Sequence, residues 1–478
     1  MTIAKKQSEP LKKDSVLMDS NLKTLVTAVQ GERLMGEPSQ KFQGVSINTR
    51  TLKPGELFFC IQGDRFDGHE FLNDAIEKKA AGVVISDRTK FKESLAQQAG
   101  LFAVAVPDTL HALQELAGYH RDQFNVHMIG VTGTNGKSTT KEMIASVVKM
   151  QYPTLKTEGN LNNHIGVPLT LLGLKETHEA AVVEMGMSAA GEIKRLAEIA
   201  KPKIGVITNI SQAHMIELKS LQDIQAAKGE LFESLSKEST AIVNADDPLV
   251  LELAKKVRAG VITFGINNPA DVRATDIRSS ENSGYDFTLN VRDKKVPVHL
   301  PFLGRFNIYN ALAAAAVGHA LDISPGLIKT GLGVEHHLSQ RGEAARYGDI
   351  EVLNDSYNAN PQSMREAMQI LKEHAADGRK FLVIGDMLEL GDGEQSAHQQ
   401  LGNEAAGCGF DFLVTVGELA GLAGATAVES GMEKDRVHCF GSHQAAAEFL
   451  KATTQAGDCL LVKGSRGSHM ETVLESLM

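Results

Sequence analysis

Cysteine is scarce in this 478-residue chain: Cys60, Cys408, Cys439 and Cys459 are scattered, with no CxxC pair. Neither a disulfide framework nor a zinc site is expected, and a reducing compartment fits. Positive charge is also short. Lys and Arg number 49 against 59 Asp and Glu, a net charge of −10. A nucleic-acid polymer, which needs a basic surface, is excluded as the main partner. Small anionic ligands are not, because a few local donors can hold them. Long apolar runs are missing. The longest small-apolar stretch, Ala311 to Val317, is far too short to span a bilayer. The opening MTIAKKQSEPLKKDSVLMDS has lysines with no apolar segment behind them, so no secretory signal is expected. The chain as a whole, 42 % hydrophobic and 23 % charged, excludes disorder, collagen and coiled coil for its bulk. A soluble, cytoplasmic protein is expected.

At roughly 100–200 residues per domain, the length suggests about three domains. Residues 1–21 are polar and lysine-bearing, and read as a disordered extension. Residues 22–108 carry short strands and helices around the turn at Pro54-Gly55, a small N-terminal α/β domain. Residues 109–337 contain apolar runs without alternation: VHMIGVTG (126–133), AAVVEMGM (180–187), IGVITNI (204–210) and TAIVNADD (240–247), with helical patterns between them. Such strands predict a parallel sheet with helices on both faces, here a central sheet of P-loop type. DVRATDI, YDFTLNV and VPVHLPF, within 271–302, alternate instead and predict a small antiparallel meander. Residues 338–478 alternate strands and helices again, as in a C-terminal Rossmann-like doubly wound domain.

The most informative segment is GVTGTNGKSTTKEM (130–143). An apolar strand ends at Val131, a glycine-rich loop follows, and Gly136-Lys137-Ser138 opens a helix. Gly133, Thr134, Asn135 and Gly136 can turn backbone N–H groups toward an anion at the helix N-terminus. Lys137 can reach terminal phosphates, and Ser138, with Thr139 beside it, can offer a hydroxyl to Mg²⁺. The strict P-loop pattern has Gly where Val131 stands; the glycines here are 130, 133 and 136. No Asn-Lys-x-Asp guanine motif occurs, which counts against a regulatory GTPase. Glu184 and His214 each follow an apolar strand, where a carboxylate and an imidazole can bind a divalent cation in the crevice of a parallel sheet. Lys228, in QAAKGELFESL, reads by itself as a solvated lysine on an amphipathic helix.

GTNGKST resembles the Mur ligase family. The likeness extends in order through NTRTLKPGELFFCIQGDRFDGHEF (48–71), GNLNNHIGVPLTLL (159–172), EMGMSAAGEI (184–193), TNISQAHM (208–215), AKGELFESL (227–235), NADDP (244–248), GRFNIYNALAA (304–314), NDSYNANPQSM (354–364), GDMLELG (385–391) and VKGSRGSHME (462–471). The resemblance implies an ATP-dependent, ADP-forming ligase. Its substrates are the small molecules UDP-N-acetylmuramoyl-tripeptide and D-alanyl-D-alanine, joined through an acyl phosphate for peptidoglycan synthesis. The alternative is a sister ligase, or one like the folylpolyglutamate synthetases, with another amino substrate.

The resemblance also implies roles for residues. Lys137, Lys228 and His214 are catalytic. Ser138, Glu184, His214 and Lys228 surround Mg²⁺, with a carbamate on Lys228. Asn307 and Asn310 contact adenine, Arg341 binds phosphate, and Asp355 contacts the ribose. Ser46, Asn48, Thr49 and Arg50 hold the uridine end, although the family usually has Asp where Asn48 stands. Asn162, Asn163 and Ser188 face the muramoyl-peptide. Tyr357, Asn358 and Asn360 belong to DSYNANP, a string found in place of the Asp-Asn-Pro-Arg loop of the tripeptide synthetase. Lys463, Ser465 and Arg466 either meet a carboxylate or form a turn. A monomer is expected, with no membrane partner.

Overall fold

The computed structural model describes residues 21–63, 66–212, 217–280, 283–335, 339–374 and 378–477. Residues 1–20, read as an extension, and His214 lie outside them. The described chain is mixed α/β and builds three sheets.

The N-terminal sheet contains β1 (Glu32–Met35), β2 (Val45–Ser46), β3 (Leu57–Phe59), β4 (Gly82–Ile85) and β5 (Phe102–Ala105) in the order β1-β5-β4-β3-β2. Only β1 runs antiparallel to its neighbour. The helix Thr109–Asp122 follows, capped by Asp108, whose carboxylate accepts from the N–H groups of Leu110 and His111. Its buried face, with Ala112, Leu113, Leu116 and Ala117, joins the core of this first sheet to one face of the second.

The central sheet is nine-stranded. Its strands are β6 (His127–Thr132), β7 (Thr154–Lys156), β8 (Ala180–Glu184), β9 (Ile204–Ile207), β10 (Thr240–Asn244), β11 (Gly260–Gly265), β12 (Val272–Ser279), β13 (Tyr285–Val291) and β14 (Lys294–Leu300). The order is β14-β13-β12-β11-β10-β9-β6-β8-β7. Along β8, Ala181 and Val183 face the helices Thr109–Asp122, Glu192–Ala200 and Leu221–Glu233. Ala180 and Val182 face the helices Lys137–Lys149 and Phe306–Ala320. Both faces are dry, which is why these strands show no polar alternation. The alanines 313–316 are fully buried, and their small side chains let their helix lie close. The expected antiparallel meander is formed by β12, β13 and β14. Phe264 and Gly265 of β11 pair in parallel with Val272 and Arg273 of β12, so the antiparallel strands continue the central sheet.

The C-terminal sheet contains β15 (Glu343–Tyr347), β16 (Ile350–Asp355), β17 (Lys380–Gly385), β18 (Phe412–Val416), β19 (Val437–Phe440) and β20 (Cys459–Lys463), in the order β15-β16-β20-β17-β18-β19. All pairs are parallel except the β15 edge. Leu353, Leu382 and Ile384 face the helices Pro361–Glu373 and Glu394–Ala406; Val352, Phe381 and Val383 face the other layer. In the central sheet the chain leaves β6 for β7 and β8 on one side, then crosses to β9 on the other. Ligand crevices open outside the carboxyl ends of strands at such a reversal. Among the described residues, no helix is long and apolar enough to cross a membrane.

Candidate active site

The loop after β6 owes its shape to two glycines. Gly133 has φ +149° and Gly136 has φ +77°. A Cβ on Gly133 would stand 1.9 Å from Thr208 Oγ1, and one on Gly136 would stand 2.5 Å from Asn310 Oδ1. Side chains just past β9 lace the loop in place. Asn135 N donates to Asn209 Oδ1 at 3.0 Å, and Asn135 O accepts from Thr208 Oγ1 at 2.6 Å and Asn209 Nδ2 at 3.1 Å. Sequence reasoning missed Thr208 and Asn209 as positioning residues, although both lie in the TNISQAHM segment. The helix Lys137–Lys149 then starts at Gly136 with no side-chain cap among the described residues. Its first N–H groups and partial positive charge point out of the loop, as an anion requires.

Lys137 Nζ folds back and donates to Gly133 O and Thr134 O, both at 2.9 Å. Loss of solvation holds its ammonium below the usual lysine range; Glu184 opposes this and Arg341 adds to it. Lys228 is only 3 % exposed, not solvated as its helix pattern suggests. Its Nζ donates to Gly133 O at 3.0 Å. Burial, then the nearby Lys137 charge, pushes Lys228 far below the usual range.

Glu184 ends β8 and is 1 % exposed. Its Oε1 accepts from Asn162 Nδ2 at 2.8 Å; its Oε2 is buried without a hydrogen-bond partner among the described residues. A buried carboxylate oxygen so left costs free energy unless something positive meets it. Thr132 Oγ1 and Ser211 Oγ are orphaned in the same way. The Glu184 carboxylate and the Ser138 hydroxyl line one cavity, and such oxygen donors fit a hard divalent cation.

A cavity of about 550 Å³ opens between this loop and the C-terminal domain. It brings together Thr134, Asn135, Gly136, Lys137, Ser138, Thr139, Asn162, Asn163, Glu184, Ser188, Lys228, Asn307, Arg341, Asp355, Tyr357, Asn358 and Asn360. Gly133 contributes through its carbonyl. Asn310 does not line the cavity. It sits behind the loop, where its Oδ1 accepts from Thr140 Oγ1 at 3.1 Å and its Nδ2 donates to Asn307 Oδ1 at 2.8 Å. Ser46, Asn48, Thr49 and Arg50 are also absent from it. They form a turn in which Asn48 Oδ1 accepts from Arg50 N at 3.0 Å, a bond Asp would make equally. Lys78 Nζ donates to Thr49 O at 2.6 Å and steadies that turn.

From the C-terminal domain, the Arg341 guanidinium lies 3.8 Å from the centre of the Tyr357 ring. Asp355 and Lys463, at the ends of the neighbouring strands β16 and β20, pair at 2.5 Å, and Lys463 Nζ also donates to Asn358 O at 2.9 Å. Ser465 Oγ donates to Ala359 O, and Arg466 Nη1 to Gln340 Oε1, so both hold loops. Asn360 caps the helix Pro361–Glu373 and reaches across the domain boundary: its Nδ2 donates to Asn135 Oδ1 at 2.7 Å. Glu192, Glu366 and the apolar wall of Phe302, Leu303 and Phe306 also line the cavity. No local pattern marks them.

Three family models match: Mur ligase family, catalytic domain, over residues 41–121; Mur ligase middle domain over 131–318; and Mur ligase, glutamate ligase domain over 340–466. The UDP-N-acetylmuramoyl-tripeptide–D-alanyl-D-alanine ligase of Bacillus subtilis is 37 % identical over 444 residues, covering 91 % of this chain and 93 % of that protein. The Escherichia coli protein of the same name is 35 % identical over 438 residues, again covering 91 % and 93 %. Among solved structures, MurF from Acinetobacter baumannii superposes with a TM-score of 0.87 at 31 % identity, covering 96 % of this chain and 99 % of that one. MurF ligase from Thermotoga maritima in complex with ADP shares the fold, with a TM-score of 0.79 at 24 % identity, covering 91 % and 96 %. An uncapped glycine-rich loop facing a second α/β domain across one cavity, matched over nine-tenths of the chain, leaves one assignment: the chain belongs to the Mur ligase family.

Proposed function

We propose that this chain is an ATP-dependent, ADP-forming ligase that joins the terminal carboxylate of UDP-N-acetylmuramoyl-tripeptide to the amine of D-alanyl-D-alanine. The product is the pentapeptide precursor of peptidoglycan. One observation carries the reading: the uncapped helix start and Lys137 open into the same cavity as Arg341, Asp355 and Lys463 of the C-terminal domain. The identity to ligases bearing that activity in their names supports the choice of substrates.

In this reading residues 22–108 hold the sugar nucleotide through Ser46, Asn48, Thr49 and Arg50. Residues 109–337 bind ATP, with adenine against Asn307 and the Phe302 wall. Residues 338–478 present the dipeptide near Tyr357, Asn358 and Lys463. The tripeptide carboxylate, near Asn162, Asn163 and Ser188, attacks the γ-phosphorus and ADP leaves. Lys137 exchanges the Gly133 and Thr134 carbonyls for phosphate oxygens, and the loop N–H groups share the developing charge. The dipeptide amine then attacks the acyl carbon, loses a proton, and phosphate departs. Water kept out by the two domains preserves the acyl phosphate.

Mg²⁺, when bound, neutralises phosphate charge; Ser138, Glu184 and Lys228 would hold it, together with His214. A bare ammonium at Lys228 does not fit a cation site. A carbamate does, formed when the neutral amine adds CO₂ and releases a proton, and a buried, readily deprotonated amine suits that chemistry. The enzyme acts as a cytoplasmic monomer in this reading.

The test is phosphate release from ATP with UDP-N-acetylmuramoyl-tripeptide, with and without D-alanyl-D-alanine. Release that depends on the dipeptide is expected. Turnover indifferent to it refutes the reading.

A further inference from the structure

A second cluster of ligand-type side chains lies at the opposite end of the C-terminal sheet. Glu351, in β16, and Cys459, which opens β20, are register partners on adjacent strands. His374 directly follows the helix Pro361–Glu373, which packs on the same face. One ligand atom from each lies within 4.8 Å of the others. Cys459 is buried, while the His374 and Glu351 side chains are 15 % and 32 % exposed, so the cluster is closed at the sulfur and open at the carboxylate. His374 Nε2 stands 2.9 Å from Glu351 Oε2, an ion pair when the imidazole is protonated. That nitrogen is buried without a hydrogen-bond partner among the described residues.

We propose that Cys459, His374 and Glu351 form a binding site for a divalent transition-metal ion of borderline softness, with zinc as the type. Sulfur, nitrogen and oxygen donors in one group suit such an ion, whose fourth position water can fill. Mg²⁺, which takes oxygen ligands, does not suit it. Tetrahedral ligation at zinc bond lengths places donor atoms about 3.3–3.7 Å apart, so side-chain movements of about 1 Å complete the site. As the sulfur–metal bond forms, the Cys459 thiol gives up its proton to solvent. The ion ties the starts of β16 and β20 to one end of the helix whose other end, at Asn360, touches the phosphate loop. Cysteine spacing argued against zinc because it cannot register a site drawn from three separate elements.

The test is titration of the metal-free, full-length chain, made without a polyhistidine tag, with Co²⁺. The expected result is a near-ultraviolet thiolate-to-cobalt band that saturates at one equivalent and is displaced by Zn²⁺. Cys459→Ser removes the band, while Cys408→Ser and Cys439→Ser leave it. His374→Gln and Glu351→Gln each weaken binding by about tenfold or more, and carry the test if Cys459→Ser does not fold. The oxygen site at Glu184 has no thiol and gives no such band. No band in the wild-type chain, a band surviving Cys459→Ser, or binding unchanged in both His374→Gln and Glu351→Gln overturns the proposal.

Discussion

Asn360 does two things with one amide, and Asn360→Ser separates them. Its Oδ1 accepts from Ser363 N at 2.9 Å while Ser363 Oγ accepts from Asn360 N at 3.0 Å, a reciprocal cap on the helix Pro361–Glu373. The same amide exchanges two bonds with Asn135 of the phosphate loop, at 2.7 and 3.4 Å. Serine caps a helix about as well as asparagine but is too short to reach Asn135. Alanine loses both functions. A lost cap costs about 1 kcal/mol. The Asn135 pair, one good neutral bond and one long one, is worth about 1–1.5 kcal/mol net. If domain apposition at the loop supports ATP use, Asn360→Ser lowers kcat/KM for ATP about 5–10-fold while retaining the cap's contribution to the unfolding midpoint. Asn360→Ala shows the same kinetic loss and a lower midpoint. The double variant Asn135→Ala/Asn360→Ser is no worse than the poorer single variant, because the pair can be lost only once. Steady-state kinetics and thermal unfolding on the wild type, Asn135→Ala, Asn360→Ser, Asn360→Ala and the double variant decide it. Wild-type kinetics in Asn360→Ser, or additive losses in the double variant, refute the reasoning.

Two further outcomes follow from the same cavity. On the proposed function, Lys137→Ala removes the donor to the transferred phosphate and lowers kcat by at least about 100-fold, while circular dichroism and the unfolding midpoint hold, since the lysine bonds only loop carbonyls; near-normal turnover means the loop has another role. Glu366 is pushed up to about 7 by burial, with Asp355 adding to the rise and Gln362 and Lys463 opposing it. A carboxyl raised in the folded state costs stability as pH climbs from about 4.5 to 7, by at most about 3 kcal/mol. Glu366→Gln therefore matches the wild type in unfolding midpoint below pH 4.5 and exceeds it above pH 7; a gap independent of pH contradicts this.

How far the sequence disclosed the site depends on whether a residue's environment is local. The phosphate loop was legible because strand, glycines and helix start are contiguous, and Glu184 because a strand end in a parallel sheet fixes where it points. Lys228 was not: its helix face is amphipathic by pattern, and only the approach of Gly133, 95 residues away, buries its nitrogen. Asn307 and Asn310, three apart on one helix face, look equivalent in sequence. The tight contact at Gly136 draws Asn310 behind the loop and leaves Asn307 at the cavity. The strands within 271–302 were legible as antiparallel, but their attachment to β11 depends on a two-residue parallel pairing that alternation cannot encode.

The Asn135–Asn360 pair marks the limit of such reading. Its partners are 225 residues apart, and each has a complete local explanation: a loop residue and a helix cap. Local sufficiency hides long-range roles, because a residue already accounted for by its own turn prompts no search for a second partner. Glu351, His374 and Cys459 are hidden for the complementary reason. Each looks ordinary in its own element, and the approach of the buried His374 nitrogen to Glu351 beside Cys459 is visible only once strand register and helix end are brought together.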